Sequence, residues 1–93
     1  MATFVMFGKY TSESLKEISA ERTVKVVNLF NELGGEIKSM YAILGEYDLI
    51  FIADLPNVSK AMKASLALNQ MLGITFSTFP ALKIEEFDSL AGK

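Results

Sequence analysis

Phe4-Val5-Met6-Phe7 and Leu49-Ile50-Phe51-Ile52-Ala53 are apolar at every position. Short, aromatic and β-branched, both runs read as strands. Side chains alternate between the two faces of a strand, so a sheet built on these runs is greasy on both sides. Any fold for the chain must therefore cover two faces of one sheet.

The rest of the sequence supplies a regular succession of elements. Residues 3–9 predict a first strand. Thr11 and Ser12 then offer N-cap hydroxyls, with Glu13 and Glu17 suited to the positive end of a helix. Leu15, Ile18, Arg22, Val26, Leu29, Phe30 and Leu33 recur at steps of three and four, which predicts one continuous helix ended by Gly34-Gly35. A second strand is expected over 36–44 and a third over 47–54, joined by Gly45-Glu46 as a two-residue type II′ turn. Pro56 or Asn57 opens a second helix with the stripe Val58, Ala61, Met62, Ser65, Leu68, Met71 and Leu72, closed by Gly73. A fourth strand follows over 74–79 and is interrupted by Pro80. Lys83 to Leu90 predict an extended segment and a short helical turn.

The order β-α-β-β-α-β, with right-handed crossovers, leaves few topologies. The expected fold is α+β, a ferredoxin-like antiparallel sheet with two helices on one face, as one domain over residues 1–93. Strands one and three should be central and the other two edges.

That arrangement leaves one face without helices. Strand one presents Val5 and Phe7 to one side and Phe4 and Met6 to the other; strand three divides Leu49 and Phe51 from Ile50 and Ile52. A wet face of this kind would exceed the apolar patch that monomers normally expose. Covering a large apolar side chain is worth about 1.5–3 kcal/mol. A second copy packed about a two-fold axis is the simplest closed cover, giving a homodimer or higher homo-oligomer through the sheet face. The other way to cover it is for the C-terminal segment, with Phe87 and Leu90, to fold back over its own sheet.

Composition removes several function classes. There is no cysteine and no histidine, which eliminates disulfides, thiol nucleophiles, thiolate zinc sites and histidine base catalysis. The acidic residues show no loop spacing for a hard cation, so neither metal nor cofactor is expected. A net charge of −2 and a single arginine, Arg22, do not make the basic footprint that nucleic acid requires. No apolar stretch approaches the ~20 residues of a membrane span, and the N-terminus lacks the basic start of a signal peptide. A cytoplasmic protein is expected.

The phrase that stands out is Gly45-Glu46-Tyr47-Asp48. Read structurally, it is a turn followed by the start of a strand. Read functionally, it gathers a phenol and two carboxylates at a hairpin tip. Arg22 falls on or beside a buried stripe, where a guanidinium needs carboxylate partners such as Glu46 and Asp48 or clamps an anionic ligand. The candidate ligand-binding residues are Tyr41, Glu46, Tyr47, Asp48 and Arg22; none is assigned a catalytic role. Lys9 and Tyr10 end the first strand and Lys63 lies in the second helix; the lysines read as solvated side chains rather than nucleophiles.

Gly-Glu-Tyr-Asp followed by Leu-Ile-Phe-Ile-Ala-Asp, with Ile-Lys-Ser-Met-Tyr-Ala-Ile-Leu before it, resembles the GYD domain family. The opening Phe-Val-Met-Phe-Gly-Lys-Tyr-Thr, Ser-Ala-Glu-Arg-Thr in the first helix and the Pro-Ala-Leu…Glu-Glu-Phe ending extend the likeness over nearly the whole chain. The resemblance implies a dimeric α+β barrel. More distantly, the hairpin is similar to that of the Lrp/AsnC ligand-sensing domain, a family that binds amino acids at subunit interfaces. Together these readings lead to a small-molecule-binding or regulatory oligomerisation module, its ligand at the dimer seam or in the helix–sheet cleft. The alternative is a cofactor-independent enzyme of the dimeric α+β barrel type, monooxygenase- or isomerase-like, in which Tyr41 or Tyr47 with a buried, proton-transferring Asp48 would serve.

Overall fold

The computed structural model describes residues 1–92. In chain order it contains β1 (Ala2–Lys9), α1 (Ser12–Lys16), α2 (Ala20–Glu32), β2 (Glu36–Ala42), β3 (Leu49–Leu55), α3 (Val58–Leu72), β4 (Thr75–Ala81) and α4 (Ile84–Leu90). The strands form one antiparallel sheet in the order β2-β3-β1-β4. The two strands that hold the all-apolar runs are thus the central pair, as expected of a ferredoxin-like α+β fold.

One face of the sheet meets α2 and α3. Phe4, Met6, Phe51, Ala53 and Leu55 from the central strands pack with Val26, Phe30 and Leu33 of the α2 region and Ala61, Ala64 and Leu68 of α3. Phe51 sits at the centre of an aromatic chain, its ring 6.5 Å from Phe30 and 5.0 Å from Phe76. Gly8 belongs to this face because a Cβ there would lie 2.7 Å from the Phe76 ring, which covers it.

The predicted first helix is two helices. α1 ends at Lys16, and Ser19, with extended backbone (φ −159°), starts α2 afresh by accepting the Arg22 N–H on its hydroxyl. Only the later part of the predicted stripe is retained. Arg22, Val26 and Phe30 are buried, whereas Leu15 and Ile18 are exposed and Ser14 is buried in their place. The end of α2 follows expectation. Gly34 takes φ +82°, and the Gly34 and Gly35 N–H groups reach back to the carbonyls of Asn31 and Phe30, the paired bonds of a Schellman motif.

Along α3 the buried stripe is Ala61, Ala64 and Leu68; Val58, Met62 and Met71 of the predicted stripe are exposed. Small side chains let the helix approach the sheet closely, and the Ser65 and Thr78 hydroxyls meet at 2.6 Å between α3 and β4. Pro80 does not interrupt β4, which continues to Ala81 with Pro80 opposite Phe4. An edge strand tolerates a residue without an N–H. The other edge, β2, is broken by a register shift between Ile37 and Ser39.

The opposite face of the sheet carries no helix. The register sets Ser39, Ile52, Val5 and Phe79 in one row and Tyr41, Ile50, Phe7 and Ser77 in the next. Phe79 is 52% exposed, and Val5, Phe7, Ile50 and Ile52 are only half-buried. α4 does not cover them: it has no buried residue, and Ile84, Phe87 and Leu90 are all exposed. The C-terminal segment is therefore not the lid that folding back would have made.

Candidate functional site

The connection between β2 and β3 is wider than a two-residue turn, spanning residues 43–48 between Ala42 and Leu49. The Ile43 N–H still donates to the Asp48 carbonyl at 2.9 Å and closes the turn, while its last two residues also reach beyond it. The Tyr47 ring packs 5.2 Å from that of Phe7, on the helix-free face, and Phe7 in turn meets Phe79 edge-on at 6.0 Å. Asp48 holds the end of β1 twice. Its backbone N–H donates to the Gly8 carbonyl at 2.9 Å, and its carboxylate accepts the Tyr10 N–H, also at 2.9 Å. Consecutive residues of the turn thus both tie down the end of β1, Tyr47 through a ring on the helix-free face and Asp48 through hydrogen bonds.

Tyr10 leads from β1 into α1, whose N-cap is Thr11. The Thr11 hydroxyl accepts the Ser14 N–H and the Ser14 hydroxyl accepts the Thr11 N–H, a reciprocal capping box. This fixes the Ser14 carbonyl, which accepts a hydrogen bond from the Arg22 guanidinium. The same guanidinium lies over the Tyr10 ring, 5.3 Å from its centroid. Of the two roles open to Arg22, the pairing with Glu46 or Asp48 is not formed: among the described residues no carboxylate lies within ion-pair distance of it. Asp48 is committed to Tyr10, and Glu46 is exposed on the turn.

Arg22 is nonetheless only 9% exposed. It opens on a cleft of about 180 Å³ between α2 and the β2–β3 side of the sheet. Val26, Met40, Leu49, Phe51, Ile74 and Ile18 give the cleft its apolar lining, and Tyr10, Ser19, Thr23 and Tyr41 bring hydroxyls. A second hollow, of about 440 Å³, lies beyond Tyr10 and is lined by Lys9, Thr11, Glu46, Tyr47, Thr75 and Ser77.

The five candidate residues therefore do not form one cluster. Arg22 and Tyr41 line the cleft, Glu46 and Tyr47 line the second hollow, and Asp48 lines neither. Tyr41 pairs with Ile50 on the helix-free face and is 60% exposed, so it meets the cleft at its rim. The residue common to both spaces is Tyr10, which sequence reasoning placed at the end of a strand and gave no role. Its one signal was its place directly after a central strand and opposite the Asp48 turn, a pairing that only the β1–β3 register reveals.

At the far end of the helix-free face lies a polar group. The Lys38 ammonium is 3.1 Å from Glu36 and 3.5 Å from Asp54, and Asp54 also accepts from the Thr3 hydroxyl at 2.7 Å. The hydrogen bond and charge of Glu36, and then the Asp54 carboxylate, raise the Lys38 pKa above its ordinary value. No three acidic side chains converge as a metal site among the described residues. No helix there is long and apolar enough to cross a membrane.

Among solved structures, the chain is similar in fold to the leucine response regulatory protein LrpA of Mycobacterium tuberculosis, with a TM-score of 0.58 at 7% identity. The likeness covers 88% of this chain and 51% of that one, so the chain spans about half the length of the regulator. No curated protein matches the chain in sequence. The family model of the GYD domain matches residues 4–91. Spanning both the turn that binds Tyr10 and the strands that flank it, that match makes the chain a member of the GYD domain family.

Proposed function

We propose that this chain is a cytoplasmic, one-domain regulatory module that binds a small molecule and works as a homodimer. Two copies bring their helix-free sheet faces together, closing a dimeric α+β barrel, and the ligand occupies the helix–sheet cleft. The observation that carries this reading is the division of labour in the turn. Tyr47 packs on Phe7 in the face offered to the partner, and the adjacent Asp48 holds Tyr10 at the mouth of the cleft. A ligand that shifts Tyr10 would pull on the turn and so on the seam, which is what a regulatory coupling between two sites requires.

The face has the size and chemistry for the role. Val5, Phe7, Ile50, Ile52, Phe79 and Tyr41 form its two apolar rows. Covering that many large side chains, at about 1.5–3 kcal/mol each, offsets an association cost of several kcal/mol or more. The fold likeness to a leucine response regulatory protein agrees with a regulatory role. Nothing comparable favours an enzyme, since Asp48, the carboxylate on which proton transfer would depend, lines neither hollow.

The test is light scattering and native mass spectrometry of the purified protein, followed by thermal shift against a metabolite panel. The expected particle is twice the mass of the 10.2 kDa chain, with at least one metabolite raising the melting temperature. A stable single-chain particle in dilute solution would remove the seam, and a panel without effect would remove the ligand.

A further inference from the structure

The geometry points to a monoanionic carboxylic acid with a short apolar body, carrying no ammonium group, as the ligand class of the Arg22 cleft. The inference rests on the ligand-binding reading above and adds the charge and shape of what is bound.

Its basis is the state of Arg22. A buried charge without a counter-charge is costly, and this one is nine-tenths buried with no carboxylate in reach among the described residues. A guanidinium has five N–H donors. The hydrogen bond to the Ser14 carbonyl is the one this side chain donates among the described residues. No buried side-chain nitrogen or oxygen is left without a partner there, so the remaining guanidinium donors are those with access to solvent. The cleft that Arg22 lines is the space available to them. Ser14 and the Tyr10 ring hold the group in place, so its planar fork is preset for a bidentate acceptor.

The remaining walls narrow the class. Arg22 is the one formally charged residue lining the cleft. An amino acid would bring an ammonium with no carboxylate to receive it, which argues for an acid without an amine. A phosphate dianion would be met by a single cation, which argues for one negative charge. The start of α2 adds the positive end of a helix dipole and the Ser19 hydroxyl, which accepts the Arg22 N–H and keeps its own proton to donate; the Thr23 hydroxyl is spent on the Ser19 carbonyl. Behind the charged group the walls are aliphatic and aromatic. At about 180 Å³ the cleft is smaller than the ~300–1,000 Å³ of pockets for drug-sized ligands, so the acid is small.

The experiment titrates the full chain with phenylacetate, 4-methylpentanoate, phenylacetamide, phenylalanine and phenylphosphonate at millimolar concentrations, following backbone amide shifts by NMR. The two acids should move the amides of Ser19, Thr23, Leu49 and Ile74. Phenylacetate should bind at least about tenfold more tightly than its amide, the scale set by a hydrogen bond to a charged group against a neutral one. Arg22→Met should erase that preference, and Arg22→Lys should retain part of it. The acid–amide comparison is made on the unaltered chain, so it stands even where Arg22→Met fails to fold. Equal binding of acid and amide in the cleft would overturn the anion while leaving the ligand site. Tighter binding of phenylalanine or phenylphosphonate would overturn the class in favour of zwitterion or dianion. Shifts from no probe at those four amides would overturn the inference and the cleft together.

Discussion

The Asp48 carboxylate accepts the Tyr10 N–H at 2.9 Å across 38 residues of sequence. The most distinctive turn of the chain thereby fixes the segment that enters α1. Removing the acceptor leaves a part-buried N–H unpaired, at a cost of about 1–3 kcal/mol. Asp48→Ala should lower stability in urea by that amount and speed hydrogen exchange at Tyr10. Tyr47→Phe, which keeps the ring against Phe7, should leave Tyr10 exchange as it is. Unchanged Tyr10 protection in Asp48→Ala would mean that the carboxylate does not hold it.

Two glycines should respond differently to a methyl group. A Cβ on Gly35 would overlap the backbone carbonyl oxygen of Asp54, which has no freedom to retreat. A Cβ on Gly8 meets the outer edge of the Phe76 ring at 2.7 Å, and a ring can turn aside. Overpacking costs about 1–3 kcal/mol, occasionally more. Gly35→Ala should lie at or above the top of that range and Gly8→Ala within it, as read from chemical denaturation midpoints. The reverse order would contradict the packing described.

A charge placed in the apolar row of the helix-free face should separate association from folding. Val5 pairs with Ile52 on one side and Phe79 on the other, and its side chain faces away from the core. Val5→Lys should keep the circular dichroism spectrum while halving the particle mass in light scattering. An unaltered mass would place the contact between copies elsewhere.

The Lys38 cluster gives a pH dependence with a definite sign. Glu36 and Asp54 raise the folded pKa of Lys38 above the ordinary 10.5. The folded state therefore binds the proton more tightly than the unfolded one, and the stabilisation is complete below that ordinary value. It is lost as pH rises through the folded pKa. Denaturation midpoints should show no pH dependence from Lys38 around neutrality, then a decline above pH 10.5 that Lys38→Met lacks. Because the pair is exposed, the decline should shrink with added salt.

The central pairing of β1 with β3 was legible because both runs are apolar at every position, a pattern that fits a middle strand and little else. The ends of the elements were less so. Helix periodicity counted Leu15 and Ile18 as core, but it could not see that the Ser19 hydroxyl begins a new helix and that Arg22 takes the Ser14 carbonyl. On α3 the same counting favoured Met62 and Met71 over Ala64, although close approach to the sheet selects the small residue. For the site, the sequence singled out the tetrapeptide Gly45-Glu46-Tyr47-Asp48 and Arg22 as candidates. It could not show that they lie apart, because the separation of Tyr47 from Asp48 is decided by Phe7 and Tyr10, which lie far away along the chain.

Both rims of the sheet are spoiled for annealing to a further strand, one by Pro80 and the other by the irregularity at Lys38. Ribbon-like growth through backbone pairing is therefore blocked from either side. A second copy that packs on the flat of the sheet, as proposed, fills it and leaves nothing there for the next arrival. Self-association of that kind would terminate rather than propagate.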